Sequence, residues 1–115
     1  MSETDRELLE YAAKAAGVEL KYDTFGQGPN AAREYCYWNP LTDDGDAFRL
    51  SVSLRLPVVY FHNYPPHEPS RVVISRGKGV VENVEDGDWM RSTRRAIVRA
   101  AAEIGRRMES DEKDQ

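Results

Sequence analysis

The 115-residue sequence holds one cysteine, Cys36, and two histidines, His62 and His67. A lone cysteine excludes an internal disulfide framework and a cysteine-ligated zinc knuckle. Two histidines exclude a three-histidine zinc site. Long apolar runs are missing too, and nothing approaches the roughly 20 residues that span a bilayer. The acidic N-terminus lacks the basic-then-apolar order of a signal peptide. Basic excess is also absent: 16 Lys plus Arg face 20 Asp plus Glu, for a net charge of −4. That excludes a strongly basic nucleic-acid module but leaves room for a local basic patch. What remains is the expectation of one soluble intracellular domain over residues 1–110, with a charged, disordered tail over 111–115.

Three segments read as helices. Thr4 and Glu7 have capping-box spacing, Leu8, Ala12, Ala15 and Ala16 follow at helical spacing, and Gly17 is placed to stop the helix. In the second segment Phe48, Leu50, Val52, Leu54 and Leu56 alternate like a strand. Phe48, Val52 and Leu56 also fit i, i+4, i+8 spacing, and the preceding acids signal a helix start. We read 47–56 as helix, with Phe48, Val52 and Leu56 as its apolar stripe and Pro57 at its end. The third helix is capped by Asp86 or Asp88 and carries Trp89, Thr93, Ile97, Ala100, Ala101, Ile104 and Met108 on one stripe.

Between the helices, five segments read as strands. They are Val18–Tyr22, Glu34–Trp38, Val58–His62, Arg71–Arg76 and Gly79–Val84, with a loop over Phe25–Asn30 and a hairpin turn at Gly77–Gly79. The order α-β-β-α-β-β-β-α lacks regular β-α-β alternation. It predicts an α+β fold: a single-domain layered α/β/α sandwich with a mostly antiparallel sheet of about five strands covered by three helices. Two acidic turns resemble each other, Asp43-Asp44-Gly45-Asp46-Ala47-Phe48-Arg49 and Glu85-Asp86-Gly87-Asp88-Trp89-Met90-Arg91. Shared helix-start chemistry accounts for the likeness better than an internal repeat, because the segments diverge at once.

Three stretches, taken together, resemble a known family. They are Asp5–Gly17, Trp38–Leu50 with its Trp-Asn-Pro-Leu-Thr-Asp-Asp-Gly-Asp run, and Thr93–Gly105. In that order they resemble the small phage and prophage proteins of the phage ABA sandwich domain. The resemblance spans the first helix to the last but leaves Val58–Val84 uncovered. It implies an α-β-α sandwich, a temperate-phage origin and hence the cytoplasm of a bacterial host. It implies no activity and no catalytic residues.

Motifs that carry chemistry are few. The turn Asp43-Asp44-Gly45-Asp46 could offer oxygen ligands to a divalent cation, but Leu54 stands at loop position twelve, where an EF-hand needs a bidentate Glu. His62 and His67, with Glu68, could form a two-His-one-carboxylate set or an acid/base pair. Cys36 would need an activated thiolate to act as a nucleophile, and a strand cysteine more often serves as packing. Gly26–Ala31 fits a dinucleotide fingerprint on spacing alone, yet Pro29 removes a donor and no helix follows. Gly77-Lys78-Gly79 is too short for a phosphate loop. No cofactor, no metal and no catalytic residue are expected.

Two surfaces remain. The proline- and tyrosine-rich segment Tyr60–Pro69 places Tyr60, His62, Tyr64 and His67 on a stiff scaffold, which suits anchoring contacts with a protein. Residues 88–110 hold six arginines against three acids, a net +3, so with −4 overall the rest of the chain carries −7. Arg91, Arg95, Arg99 and Arg106 are therefore a candidate anion-binding face for nucleic acid or nucleotide. The expectation is a non-enzymatic protein that binds a host or phage protein, with nucleic-acid binding the alternative and no membrane partner. An edge strand or the last helix is suited to pair two copies about a twofold axis.

Overall fold

The computed structural model describes residues 4–22, 29–31, 36–63 and 65–113. Its elements run α1 (Asp5–Ala16), β1 (Leu20–Tyr22), β2 (Pro29–Ala31), β3 (Cys36–Tyr37), α2 (Asp44–Ser53), β4 (Val58–Phe61), β5 (Arg71–Ile74), β6 (Val80–Asn83) and α3 (Trp89–Lys113). The α+β class with three helices is as the sequence predicts. The sheet is not the single one of about five strands. The strands form two three-stranded antiparallel sheets, β1-β2-β3 and β4-β5-β6. The additional strand, β2, starts at Pro29 at the end of the segment read as loop, and its ladder pairs Leu20 with Ala31 and Asn30 with Tyr37. Proline is compatible with such a place because it opens the strand, where a ladder donor is least missed.

Each helix begins on the chemistry its sequence carries. The Thr4 hydroxyl accepts from Glu7 N–H at 3.1 Å, and Gly17, at φ 71°, closes α1 in the left-handed conformation. Asp43 caps α2 by accepting from Asp46 N–H at 2.7 Å. Asp88, not Asp86, caps α3 by accepting from Arg91 N–H at 3.0 Å. The tail expected to be disordered is helical through Lys113. Glu109 and Lys113 pair at i, i+4 (3.2 Å), and Lys14 of α1 donates to Glu112 at 2.8 Å, so the last turns have partners.

α3 is the central element. Ala96, Ile97, Val98, Ala100, Ala101 and Ala102 are all buried, a wider face than one stripe, because α1, α2 and the β4-β5-β6 sheet all contact it. α1 runs parallel to it: Asp5 meets Arg95, Tyr11 meets Gly105 and Arg106, and Lys14 meets Glu112. The approach is closest at Gly105, where an added Cβ would collide with the carbonyl oxygen of Tyr11. Leu8 and Ile97, one from each of the apolar stripes read in the first and third helices, both lie in the core.

The sheet β4-β5-β6 packs one face on α3 through Val72, Ile74 and Val80. Its other face carries Val59, Val73 and Val81 in one cross-strand row, and Val59 and Val81 are 43% and 53% exposed. Among the described residues the helices thus stand on one face of this sheet, giving two layers where the sequence predicts three. In α2 the helix itself is as expected but its inward stripe is not. Ala47 and Leu50 are buried, whereas Phe48 and Val52 face solvent. Of the expected stripe only Leu56, beyond the helix end, is in the core.

Candidate functional site: an apolar groove beside β4

A predominantly apolar concavity lies between α2, β4 and α3. It has a volume of about 360 Å³ and is lined by Phe48 and Ser51 of α2, Val58 and Tyr60 of β4, and Met90 and Ile97 of α3. Phe48 is 68% exposed and Tyr60 55%. The Tyr60 ring meets Trp89 edge-on at 6.0 Å, which fixes one wall. Asp44 and Arg94 line the same groove and form an ion pair at 2.7 Å, and Arg94 Nε also donates to the Leu41 carbonyl at 2.9 Å. With its charge paired and its floor apolar, the groove is suited to take up apolar side chains. Its two aliphatic hydroxyls, Ser51 and Thr93, donate to the Phe48 and Trp89 carbonyls of their own helices.

The groove exists because of how α2 starts. The Trp38–Asp46 run is a hydrogen-bonded turn. Thr42 N–H and Asp43 N–H donate to the Asn39 carbonyl at 3.1 and 2.8 Å, and Leu41 N–H donates to the Asn39 side chain at 3.0 Å. Buried Asp46 accepts from Asn39 N–H at 2.9 Å and from Arg49 at 2.7 Å. Asp43 accepts from Asp46 N–H and Asp44 pairs with Arg94, so each acid considered as a cation ligand has a protein partner, and no cluster of metal-ligating side chains occurs among the described residues. The bonds of the turn also set the helical phase that sends Ala47 and Leu50 inward and Phe48 out over the groove.

The sequence-predicted site residues scatter. Tyr60 lines the groove. His62 is exposed, its ring 5.7 Å from Trp89 and its Nδ1 3.4 Å from the Ser70 hydroxyl. His67 is exposed and within 4.0 Å of Glu68. The two histidines have separate neighbours and do not gather with Glu68 as a ligand set. Tyr64 lies outside the described residues, as do the Cys36 side chain and most of the Gly26–Ala31 segment.

The arginines of α3 are mostly turned to acids of their own chain. Arg95 lies 3.2 Å from Asp5 and 3.9 Å from Glu82. Arg99 bonds the Glu82 carboxylate and also donates to the Val81 carbonyl at 3.2 Å. Arg106 pairs with Glu103 at 2.8 Å and lies over the Tyr11 ring. Arg91 is exposed and lines a polar cleft of about 450 Å³ with Asp5, Glu82, Asp88 and Arg95. A phosphate approaching this face meets Arg95, Arg99 and Arg106 already paired with carboxylates, together with the carboxylates themselves.

Phe48, Met90 and Trp89 were not singled out as surface residues by sequence. For Phe48 the signal is the competing stripe of Ala47 and Leu50 in α2, which decides its exposure once the phase of that helix is known, while Trp89 stays half-buried against the core on its expected stripe. No helix among the described residues is long and apolar enough to cross a membrane. Comparison with family models, with curated proteins and with solved structures finds no match.

Proposed function

We propose that this is a non-enzymatic binding protein, of the phage accessory kind its sequence resembles, and that it acts by docking a host or phage protein in the groove between α2, β4 and α3. The observation that supports this reading is the convergence of Phe48, Tyr60 and Met90, three large exposed apolar side chains from three different elements, on one concavity. Apolar side chains gathered at one place on a polar surface mark a contact site, whereas scattered ones carry no such meaning. Aromatic and methionine side chains are also the types enriched at interface centres. His62 and Trp89 extend the surface toward the Tyr60–Pro69 segment.

The test is capture of partners from a phage-carrying bacterial lysate by wild type and by Phe48→Asp and Met90→Glu. Both positions are exposed, so each variant should fold and lose its specific partner. A partner retained equally by wild type and both variants would remove the groove as the contact site.

The nucleic-acid alternative is not carried by a comparable observation, because Arg95, Arg99 and Arg106 are held in ion pairs.

A further inference from the structure

The two edges of the β4-β5-β6 sheet differ. Along β6 the outward carbonyls are occupied: Val81 O accepts from Arg99 and Asn83 O accepts from the Ser92 hydroxyl at 3.1 Å. Residues of an antiparallel strand turn their N–H and C=O alternately to one neighbour and the other. Val81 and Asn83 therefore point away from β5, and Val80 and Glu82 point toward it. Val84 N–H, donating to Ser70 O at 2.9 Å, is in phase with this. Carried across the register, the same alternation turns Val72 and Ile74 to β6, and Arg71 and Val73 to β4, where they meet Phe61 and Val59. Val58 and Tyr60 are left with both backbone groups directed outward, at an edge that pairs with no further strand among the described residues. No hydrogen bond among the described residues reaches those groups.

Among the described residues neither a charge nor a bulge guards this edge, and its short length of four residues is its one blunting feature. Strand edges are ordinarily blunted by a charge, a bulge or a proline. Residues 56–61 carry no charge, and the register shows no bulge. Pro57 shares the phase of Val59, so its missing N–H lies on the β5 side and leaves the outer edge intact.

We infer that a second copy of this chain pairs with β4, antiparallel, about a twofold axis through Val59. In that register Val58 lies opposite Tyr60 of the second copy, and Tyr60 opposite its Val58. Both outward residues then exchange N–H···O=C bonds, four in all. Val59 faces Val59 of the second copy as a non-hydrogen-bonded pair, the closer kind, and the exposed row Val59-Val73-Val81 continues into its mate. The uncharged edge lets two chains of net charge −4 meet without like charges opposed at the seam. Val58 and Tyr60 also line the groove, so the pairing sets the two grooves side by side on the helical face of one six-stranded sheet. This goes beyond the reading of the groove as a docking site, and the two can fail separately.

The test is sedimentation equilibrium of the full chain over a wide concentration range, with each variant checked by far-ultraviolet circular dichroism. Wild type should sediment at twice 13.1 kDa. Val59→Lys opposes two ammonium groups at the axis and should return the chain to monomer. Tyr60→Pro removes an outward N–H, tolerated at an edge of the monomer, and should do the same if Val59→Lys fails to fold. Val81→Lys, on the same face at the occupied edge, should stay dimeric. A wild type that is monomeric throughout, or a dimer that survives both edge variants, overturns the inference. A monomer whose partner capture is still abolished by Phe48→Asp overturns the dimer and leaves the groove reading standing. An edge-dependent dimer whose capture ignores Phe48→Asp does the reverse.

Discussion

The two flanks of α3 are built on opposite principles. On one flank α1 lies close, with Ala12 and Ala13 buried against a helix whose own residues there are Ala101, Ala102 and Gly105. Small side chains let the backbones approach until Gly105 touches the main chain at Tyr11. On the other flank α2 buries Ala47 and Leu50 in the core but leaves a gap beside β4. Its largest apolar side chain, Phe48, has no counterpart to fill the space between α2 and β4. The first contact is saturated and belongs to stability. The second is unsaturated, which is the condition for taking up something else.

Substitutions on the closed flank should break the fold and those on the open flank should spare it. The largest effect is expected at Gly105→Val, which forces the helices apart and should cost about 3 kcal/mol or more, read by urea unfolding. Leu8→Ala, also between α1 and α3, should cost about 2–3 kcal/mol through lost burial and the cavity left behind. On the open flank, Asp43→Ala removes the cap that fixes the phase of α2 and should cost about 1 kcal/mol. It should also weaken partner capture, because Phe48 loses its placement.

A smaller effect concerns pH. The hydrogen bond to Glu112 holds the Lys14 ammonium above the ordinary lysine value, and the Glu109 charge raises Tyr11. Lys113 holds Glu109 below the ordinary carboxylate range. Groups raised on folding contribute stability that is present below their ordinary values and lost as pH climbs through the raised ones. The lowered Glu109 contributes stability present above the ordinary carboxylate value and lost as pH falls. The melting temperature should therefore decline at both extremes, and Lys14→Met should flatten the alkaline limb. The smallest change in stability, within about 0.5 kcal/mol, is expected for Phe48→Ser. A large loss there would mean that the groove is part of the core.

Much of this architecture is legible in the residues. Thr4, Gly17 and Asp88 are local signals whose chemistry completes itself within a few residues, and each performs the expected task, whereas the Glu7 carboxylate accepts from the Thr4 hydroxyl at 3.2 Å and not from a backbone donor. The face of α2 is another matter. Two stripes compete in it, Phe48 with Val52 and Ala47 with Leu50, and helical periodicity accepts either. Residue size favours the first stripe, but the turn around Asn39 and Asp46 sets the phase. The two similar acidic turns show the same dependence on context. Asp43 caps the first from the first position of the pattern, and Asp88 caps the second from the fourth. In the second turn Asp86 and Gly87 adopt φ 54° and 71°, which keeps them out of the helix. The groove was not readable for the same reason: it is defined by three elements whose relative placement no local pattern encodes. Nor was the helical end of the chain, where Glu112 depends on Lys14, 98 residues away.

The parallel contact of α1 with α3 has a consequence for how the molecule assembles. Asp5 meets Arg95 and Lys14 meets Glu112 only after nearly the whole intervening sequence exists. During synthesis the leading helix must therefore wait, its alanine face uncovered, until the closing helix leaves the ribosome. Contacts of such separation slow folding relative to local ones, so docking of α1 on α3 is expected to limit the folding rate of this domain.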